Sequence, residues 1–530
     1  MCVGITAFFS AMVAADRLYH YYVGASLSAA LGHAPTLGTL LHSHARRTAF
    51  YWKYLSKVKP EDLYSHAPLP DMEAMPEAYP RVVVQLPMFN EREVCRQVID
   101  AACEMEWPRS RLLVQVLDDS TDEVARERIQ EAVAGWREAG VNIAYRWRSN
   151  REGYKAGAMS EAMADIAEYD HCAIFDADFH PDSDFLLKTI PYLVDNPDVG
   201  FVQARWVYAN GSESLLTRVQ EIGLNYHIKC EQVARFASGA FFNFNGTAGV
   251  WRRACIEKAG GWNNRTTVED MDLSLRAYLQ GWRFVFLYNV TCLNEVPASY
   301  DAYRKQQHRW SCGPMQLWRK ATAAVWQSRI SWAQKLYLNT FFFGTRMFAA
   351  HIVSFVFYCT LVPIAVIAPE VRIPFWALVY MPLIVTCSTV AFTPGGWKHT
   401  VAFVLFENAM CVVKLNAMIS GLLELSDAHE WVVTTKLGNW AVAKAAKTGL
   451  SKATAAVAAV VPALAKQPLQ KRKIYKAELY MSLLFLVAAC FGIAQGRWQY
   501  AVFLLLQGTT FAAFGLSCGV DGQKRTVCCA

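Results

Sequence analysis

The sequence predicts an α/β domain with a mainly parallel sheet, set within a helical membrane protein. Three observations carry this. Apolar β-rich runs alternate with helical patterns between about Pro80 and Arg319. Long apolar stretches follow that region, and of 530 residues 54% are hydrophobic and only 18% charged, with a mean hydropathy of +0.14. An average soluble protein is roughly 25% charged. The composition therefore excludes a disordered, collagen-like or disulfide-stapled chain. The formal net charge is +7, but nine Lys/Arg and no Asp/Glu fall between Thr434 and Ala477, so a single segment exceeds the whole excess. That concentration gives no nucleic-acid-binding surface. Fifteen cysteines are scattered without a CxxC pair or Cys/His ligand spacing, and read as small buried hydrophobes in a reducing compartment.

In chain order, Cys2–Ala15 is too short to cross a bilayer unless its helix continues through Asp16 and Arg17 toward Ala30, and it lacks the basic start of a signal peptide. Residues 1–31 are expected to be a transmembrane anchor whose start the sequence leaves open. Residues 45–335 form the α/β domain, ending in interfacial helices. Four later stretches suit the roughly 20 apolar residues of a span: Phe348–Ala368, Ile373–Phe392, Tyr480–Gly496 and Tyr500–Val520. They give paired spans at 346–393 and 477–520, the second pair joined by a tight loop with an interfacial Trp498. Between the pairs, Lys398–Leu425 is apolar but interrupted by Glu407, Asn408, Lys414, Asn416 and Glu424. Central charges are costly in lipid, so this segment is expected to lie in the interface, a crossing being the alternative. Residues 439–476 read as a basic tether to anionic headgroups.

Within the α/β region, Arg81–Pro87, Leu112–Asp118 and His171–Asp176 read as strands, and Asp122–Ala139 and Lys155–Ile166 as helices. Alternating strands and helices imply right-handed βαβ units. In such sheets the ligand site lies beyond the carboxyl ends of the strands. Those ends deliver Phe89-Asn90-Glu91, Asp118-Asp119 and Asp176-Ala177-Asp178. An aromatic followed by a carboxylate suits a nucleobase, and an acid pair suits a nucleoside or metal. Asp-x-Asp suits a divalent cation, which usually takes one or two carboxylates and completes its shell with phosphate and water. No Walker loop or GxGxxG is present, so phosphates would be neutralised by metal and side-chain cations. Further on, Glu269-Asp270 alone would read as a helix cap before Met271–Gln280. Arg309-Trp310 alone would read as a surface cation–π pair.

The order of these motifs decides. Phe-Asn-Glu, Asp-Asp, Gly153-Tyr154-Lys155-Ala156-Gly157, Asp-x-Asp, Glu-Asp and Gln306-x-x-Arg309-Trp310, followed by membrane helices, resembles the processive family 2 inverting glycosyltransferases. The likeness spans about Val82 to Gly438. It is nearest the plant and algal cellulose-synthase-like A and C branches through Gln203–Trp206, Phe244–Trp251, Arg265–Asp272 and Gln306–Pro314. The resemblance implies a GT-A catalytic domain, Rossmann-like, with transmembrane and interfacial helices. It implies that Phe89 and Glu91 border the base and that Asp118 or Asp119 holds the nucleoside. Lys155 would meet the diphosphate. Asp176 and Asp178 would sit by the diphosphate and a Mg²⁺ or Mn²⁺ ion, with Asp178 the preferred direct ligand. Asp270 would be the general base, beside Glu269 in the substrate site. Gln306, Arg309 and Trp310 would line the acceptor site. Trp431–Lys436 is similar to the gating loop of bacterial cellulose synthase, with Trp in place of the usual Phe.

This reading expects a synthase that extends a β-1,4-linked polysaccharide acceptor through the lipid bilayer, using a nucleotide-sugar donor. Likeness to the A branch favours GDP-mannose and a mannan or glucomannan product. Glu295–Tyr300 and Gly313–Leu317 resemble the C branch, whose donor is UDP-glucose. A transporter with a nucleotide-sensing domain fits less well, because the apolar spans contain few charges. A non-processive lipid glycosyltransferase would generally lack Gln-x-x-Arg-Trp. The resemblance implies a multi-pass Golgi membrane protein, and the basic tether points the catalytic domain to the cytosol.

Overall fold

The computed structural model describes residues 63–368, 373, 381–425 and 473–517. The expected anchor, the gating-like loop and nearly all of the basic tether lie outside them. Eight strands form one sheet: β1 Val82–Met88, β2 Leu112–Asp118, β3 Ile143–Trp147, β4 His171–Ile174, β5 His180–Pro181, β6 Val199–Tyr208, β7 Gly249–Arg252 and β8 Arg283–Asn294. Their order is β3-β2-β1-β4-β7-β6-β8-β5. The β3-β2-β1-β4 half is parallel, as is β6 with β8, while β7 runs antiparallel to β4 and β6. Register pairs Met88 with Asp118 and Asp118 with Trp147, so three loops leave the sheet at one edge. The near-continuous apolar runs of β1 and β2 follow from burial on both faces.

Helices α1 Cys95–Cys103, α2 Glu123–Glu138, α3 Tyr154–Ala162, α4 Phe185–Asp195, α5 Leu215–Tyr226 and α6 Glu269–Leu279 flank the sheet. Asp122, at the end of the acidic run after β2, caps α2 by accepting from the backbone N–H of Val124 at 3.0 Å. The core behind the antiparallel strands is aromatic. Phe201 stacks on Phe284 with centroids 4.1 Å apart and meets Trp251 at 4.7 Å. Strands β3 and β5–β8 were not among the sequence expectations. β6 and β8 lack clean alternation, and β5 is two residues long.

Helix α7, Tyr300–Gln327, leaves the sheet and runs to the apolar helices. These include Ser354–Leu361, a wider π-type turn, then α8 Thr400–Leu423, α9 Lys476–Ala494 and α10 Trp498–Gly515. Among the described residues, Gly396–Leu423 and Lys476–Ala494 are long and apolar enough to cross a membrane. The expected Tyr480–Gly496 and Tyr500–Val520 pair corresponds to the α9–α10 hairpin, turned by Gly496 at φ +70°. Two of the charges that argued for an interfacial Lys398–Leu425 are satisfied internally. Lys414 Nζ donates to Glu407 Oε2 at 2.7 Å. A second apolar core joins α5 and the start of α7 to these helices through Val219, Tyr303, Phe406, Phe485 and Phe514.

Candidate active site

At the strand ends, the loop after β1 is tied to the loop after β2 by Asn90. Its Oδ1 accepts from Thr121 N at 3.0 Å and Asp122 N at 2.9 Å, and its own N–H donates to Ser120 Oγ at 2.8 Å. Asn90 adopts φ +55°, a left-handed conformation that Asn tolerates better than most residues. Asp118 is fully buried, accepting from Tyr145 Oη and Ser120 N, each at 2.8 Å. It builds this loop and is absent from the cavity wall; of the acid pair, Asp119 is the one that reaches the cavity.

Both oxygens of Asp119 accept from one guanidinium, Arg148 Nε at 2.8 Å and Nη2 at 2.6 Å, a fork geometry that adds direction to charge. The same Arg148 donates to Tyr154 O at 3.0 Å and Glu161 Oε1 at 2.7 Å. It thereby holds the turn in which Arg151, Gly153 and Tyr154 all take positive φ. Non-glycine residues there store about 1–3 kcal/mol each, so the turn needs such a clamp. The turn sets Arg151 against Phe89, with Cζ 3.4 Å from the ring centroid. Sequence reasoning named Phe89 and Asp119 but neither arginine. Basic residues before a Gly-Tyr-Lys string carry no distinguishing pattern until the partner strand is placed.

One cavity of about 620 Å³ gathers the other expected residues: Phe89, Glu91, Asp119, Lys155, Asp176, Asp178, Glu269, Asp270, Gln306, Arg309 and Trp310. Its centre is a cluster of unlike charges. Lys155 Nζ pairs with Asp176 and donates to Gly246 O at 2.9 Å. Burial alone would lower this ammonium, but Asp176, Glu269 and Asp270 around it hold it above the usual lysine range. Burial lowers the Arg309 guanidinium, while Glu269, Asp176, Asp270 and Asp178 oppose that shift, so it stays charged. Asp270 is pushed up to about 7, first by burial and then by the neighbouring Glu269 carboxylate. Glu269 itself is raised by burial, with Lys155 pulling the other way.

Helix α6 begins two residues earlier than the sequence suggests, so Glu269 and Asp270 occupy its first turn instead of preceding it. Carboxylates there face the positive end of the helix dipole. Asp270 Oδ1 accepts from Met271 N at 2.7 Å, and Ser274 Oγ donates to the Asp270 carbonyl at 2.6 Å. Helix α7 closes the site from below. Gln316, fully buried, accepts from Thr267 N at 3.1 Å. Gly313 allows the close approach, since a Cβ there would meet Val268 Cγ1 at 2.5 Å. The Phe244–Trp251 string, noted in the sequence only as a likeness, supplies Gly246 and Thr247, whose Oγ1 accepts from Asp176 N at 2.9 Å.

Asp176 and Asp178 are two hard oxygen donors, half-buried on the cavity wall. Among the described residues no group of three or more His, Cys, Asp or Glu could hold a metal alone. This donor set fits a divalent cation that shares its shell with a bound diphosphate.

Gly246 sits at φ +85°, where an added Cβ would lie 3.1 Å from Asp270 Oδ2; Gly239 sits at φ +66° with open space around it. Left-handed backbone costs an alanine about 1–2 kcal/mol at either site. Gly246→Ala should therefore lose measurably more stability than Gly239→Ala in denaturant unfolding. Equal losses would mean that Asp270 does not pack on this glycine.

With the geometry in place, comparison with known proteins identifies the group. The family described as "Glycosyltransferase like family 2" matches residues 80–313. A probable glucomannan 4-β-mannosyltransferase 9 of Oryza sativa subsp. japonica is 45% identical over 450 residues, 84% of this chain and 83% of that one. Glucomannan 4-β-mannosyltransferase 9 of Arabidopsis thaliana is 42% identical over 466 residues, 86% of this chain and 84% of that one. Among solved structures, a mannosyltransferase of Pyrobaculum calidifontis in complex with GDP-Man and Mn²⁺ matches with a TM-score of 0.52 at 19% identity. That match covers 80% of this chain and 99% of the other, and shows the shared GT-A fold. This chain is a glycosyltransferase of family 2 and belongs to the family that includes the plant glucomannan 4-β-mannosyltransferases.

Proposed function

We propose that this protein is a membrane-embedded synthase that extends a β-1,4-linked mannan or glucomannan chain from GDP-mannose by a single inverting displacement. The observation that carries this reading is one continuous cavity. It runs from Phe89 and Asp119, past Asp176, Asp270 and Trp310, to Tyr358, Glu407 and Lys414 on the apolar helices. A donor site that opens among candidate spans suits a polymer leaving through them.

In this reading the acceptor hydroxyl attacks the anomeric carbon of the donor and gives its proton to Asp270, while the nucleoside diphosphate departs. A base works best with a pKa near the operating pH, and Asp270, raised to about 7 by burial and Glu269, meets that condition. No nucleophilic side chain is required. Lys155 and Arg309 oppose the charge that develops on the leaving group. A Mg²⁺ or Mn²⁺ ion held by Asp178 and Asp176 would add Lewis-acid stabilisation of that diphosphate. Phe89, Glu91 and Asp119 border the nucleoside, and Gln306 and Trp310 the terminal sugar.

Membranes incubated separately with GDP-mannose and UDP-glucose, followed by linkage analysis, test the donor. The expected product is 4-linked mannose polymer from GDP-mannose. A 4-linked glucan from UDP-glucose alone would transfer the chain to the glucan reading that Glu295–Tyr300 resembles, and a chloroform-soluble lipid sugar would defeat the synthase.

Asp270→Asn removes the proton acceptor and should cost about 10²–10⁴ in turnover while nucleotide binding persists. For wild type, turnover should rise with pH through about 7, because only the ionised carboxylate accepts a proton. A profile flat across pH 6–8, or an Asn variant with a tenth of wild-type turnover, would assign the base elsewhere.

We further propose a multi-pass Golgi protein in which Lys398–Leu425 lies in the interface. Two spans then separate the catalytic domain from the basic Thr434–Ala477 segment, and both face the cytosol. A crossing by Lys398–Leu425 would put the catalytic domain in the lumen. An Asn-x-Thr sequon introduced into the exposed Pro68–Ala78 stretch should stay unglycosylated. An endoglycosidase-sensitive mass shift would place the domain in the lumen.

A further inference from the structure

The first turn of α7 is held by the C-terminal hairpin through a cluster of contacts that the cavity does not include. Tyr300 stacks on Phe514 with centroids 4.6 Å apart and planes 13° from parallel. Asp301 accepts from Tyr475 Oη at 2.7 Å and from Lys473 Nζ at 3.0 Å, and pairs with Lys305 at 3.0 Å. Burial alone would raise the Asp301 carboxyl, but these hydrogen bonds draw it down to about 2. Arg304 forms an ion pair with Glu478, whose side chain is 0% exposed, and its guanidinium lies 4.3 Å from the Tyr475 ring centroid. The hairpin is itself locked, with Tyr475 N donating to Gly515 O at 2.9 Å and Ser482 Oγ to Gly508 O at 2.8 Å.

Tyr300 and Arg304 share one face of α7, while Gln306, Arg309 and Trp310 share another that lines the cavity. At 1.5 Å per residue, Arg304 and Trp310 are about 9 Å apart along one continuous helix. A rotation or slide of the first turn therefore moves the cavity face with it. The nucleotide-side residues Phe89, Asp119 and Lys155 stand on other elements.

We propose that Arg304 and Glu478 are positioning residues for acceptor transfer: their ion pair makes the C-terminal hairpin part of the acceptor site by fixing α7. The assignment rests on the acceptor role given above to Gln306 and Trp310. It predicts a selective defect. Donor binding draws mainly on Phe89, Asp119, Lys155 and Asp176, none of which α7 carries. Hydrolysis of the donor by water also uses Arg309 and Asp270 but needs no sugar seated on Gln306 and Trp310. Transfer to a sugar hydroxyl needs α7 in register, and a misplacement of about 1 Å can cost on the order of 100-fold.

The test compares wild type, Arg304→Ala, Arg304→Lys and Glu478→Gln in the full-length protein in detergent. Each is assayed for donor KM, donor hydrolysis and transfer to a short β-1,4-mannan oligosaccharide. For Arg304→Ala and Glu478→Gln we expect donor KM within about twofold of wild type, transfer down by about tenfold or more and hydrolysis down by clearly less than transfer, with Arg304→Lys recovering part of the loss. Hydrolysis and transfer falling in proportion would show a merely structural contact and overturn the proposal, as would transfer left within twofold. If Arg304→Ala fails to fold, Glu478→Gln, which keeps the side chain's shape and removes only the charge that Arg304 meets, carries the same comparison. The same selective loss there supports the proposal, and its absence overturns it. Wild-type protein that elongates no oligosaccharide defeats the synthase reading itself, an outcome separate from any difference among the variants.

Discussion

Helix α7 must pack against two different bodies along one axis, and the molecule is arranged around that requirement. On one side it meets the Thr267–Asp270 segment, where Gly313 removes the side chain that would collide with Val268 and Gln316 supplies an acceptor for Thr267 N. On another it meets α8, where Gly421 lets the α7 backbone at Cys312 come into contact. Two glycines on either side of one helical turn permit separations that no larger residue allows. The carboxylate assigned as base and the residues assigned to the acceptor are held by the same helix. The catalytic domain and the apolar helices therefore behave as one packed unit at this point.

The charge cluster at the strand ends has the opposite character. Each buried ion costs several kcal/mol of desolvation, and four carboxylates gather near two cations there: Asp176, Asp178, Glu269 and Asp270 around Lys155 and Arg309. An apolar set of the same volume would serve stability better. In the function proposed above, the cluster suits a ligand that brings its own charges, a diphosphate with its cation, for which it is prepared in advance. The backbone is strained in the same neighbourhood. Asn90, Arg151, Tyr154 and Ala248 all take left-handed conformations, and Arg148 and Asn90 provide the hydrogen bonds that keep two of these loops in place.

Much of this was legible in the chain itself. The parallel strands β1, β2 and β4 announce themselves as apolar runs ending in acids, because strands buried on both faces need no alternation. The α9–α10 hairpin is visible as two apolar stretches separated by Gln495-Gly496-Arg497. The site residues stand at strand ends and in short strings, where local order carries their meaning. Less legible were β6 and β8, a parallel pair whose bulged register breaks the period-two pattern.

Sequence alone determined the kinds of chemistry present: an aromatic and acids beyond parallel strands, a Glu-Asp pair and a Gln-x-x-Arg-Trp helix before apolar spans. Tertiary structure decided which of them face one another. It turned Asp118 inward onto Tyr145 and left Asp119 at the cavity, recruited Arg148 and Arg151, and paired Glu407 with Lys414 inside an apolar helix bundle. It also joined Arg304 to Glu478 across 174 residues of chain. The physical reason is range. Backbone periodicity and capping are set by neighbours within a turn or two, and so are written locally. The partner of a buried charge is set by packing between distant elements, and a solitary Arg or Glu in a sequence looks the same whether it meets solvent or its counter-ion.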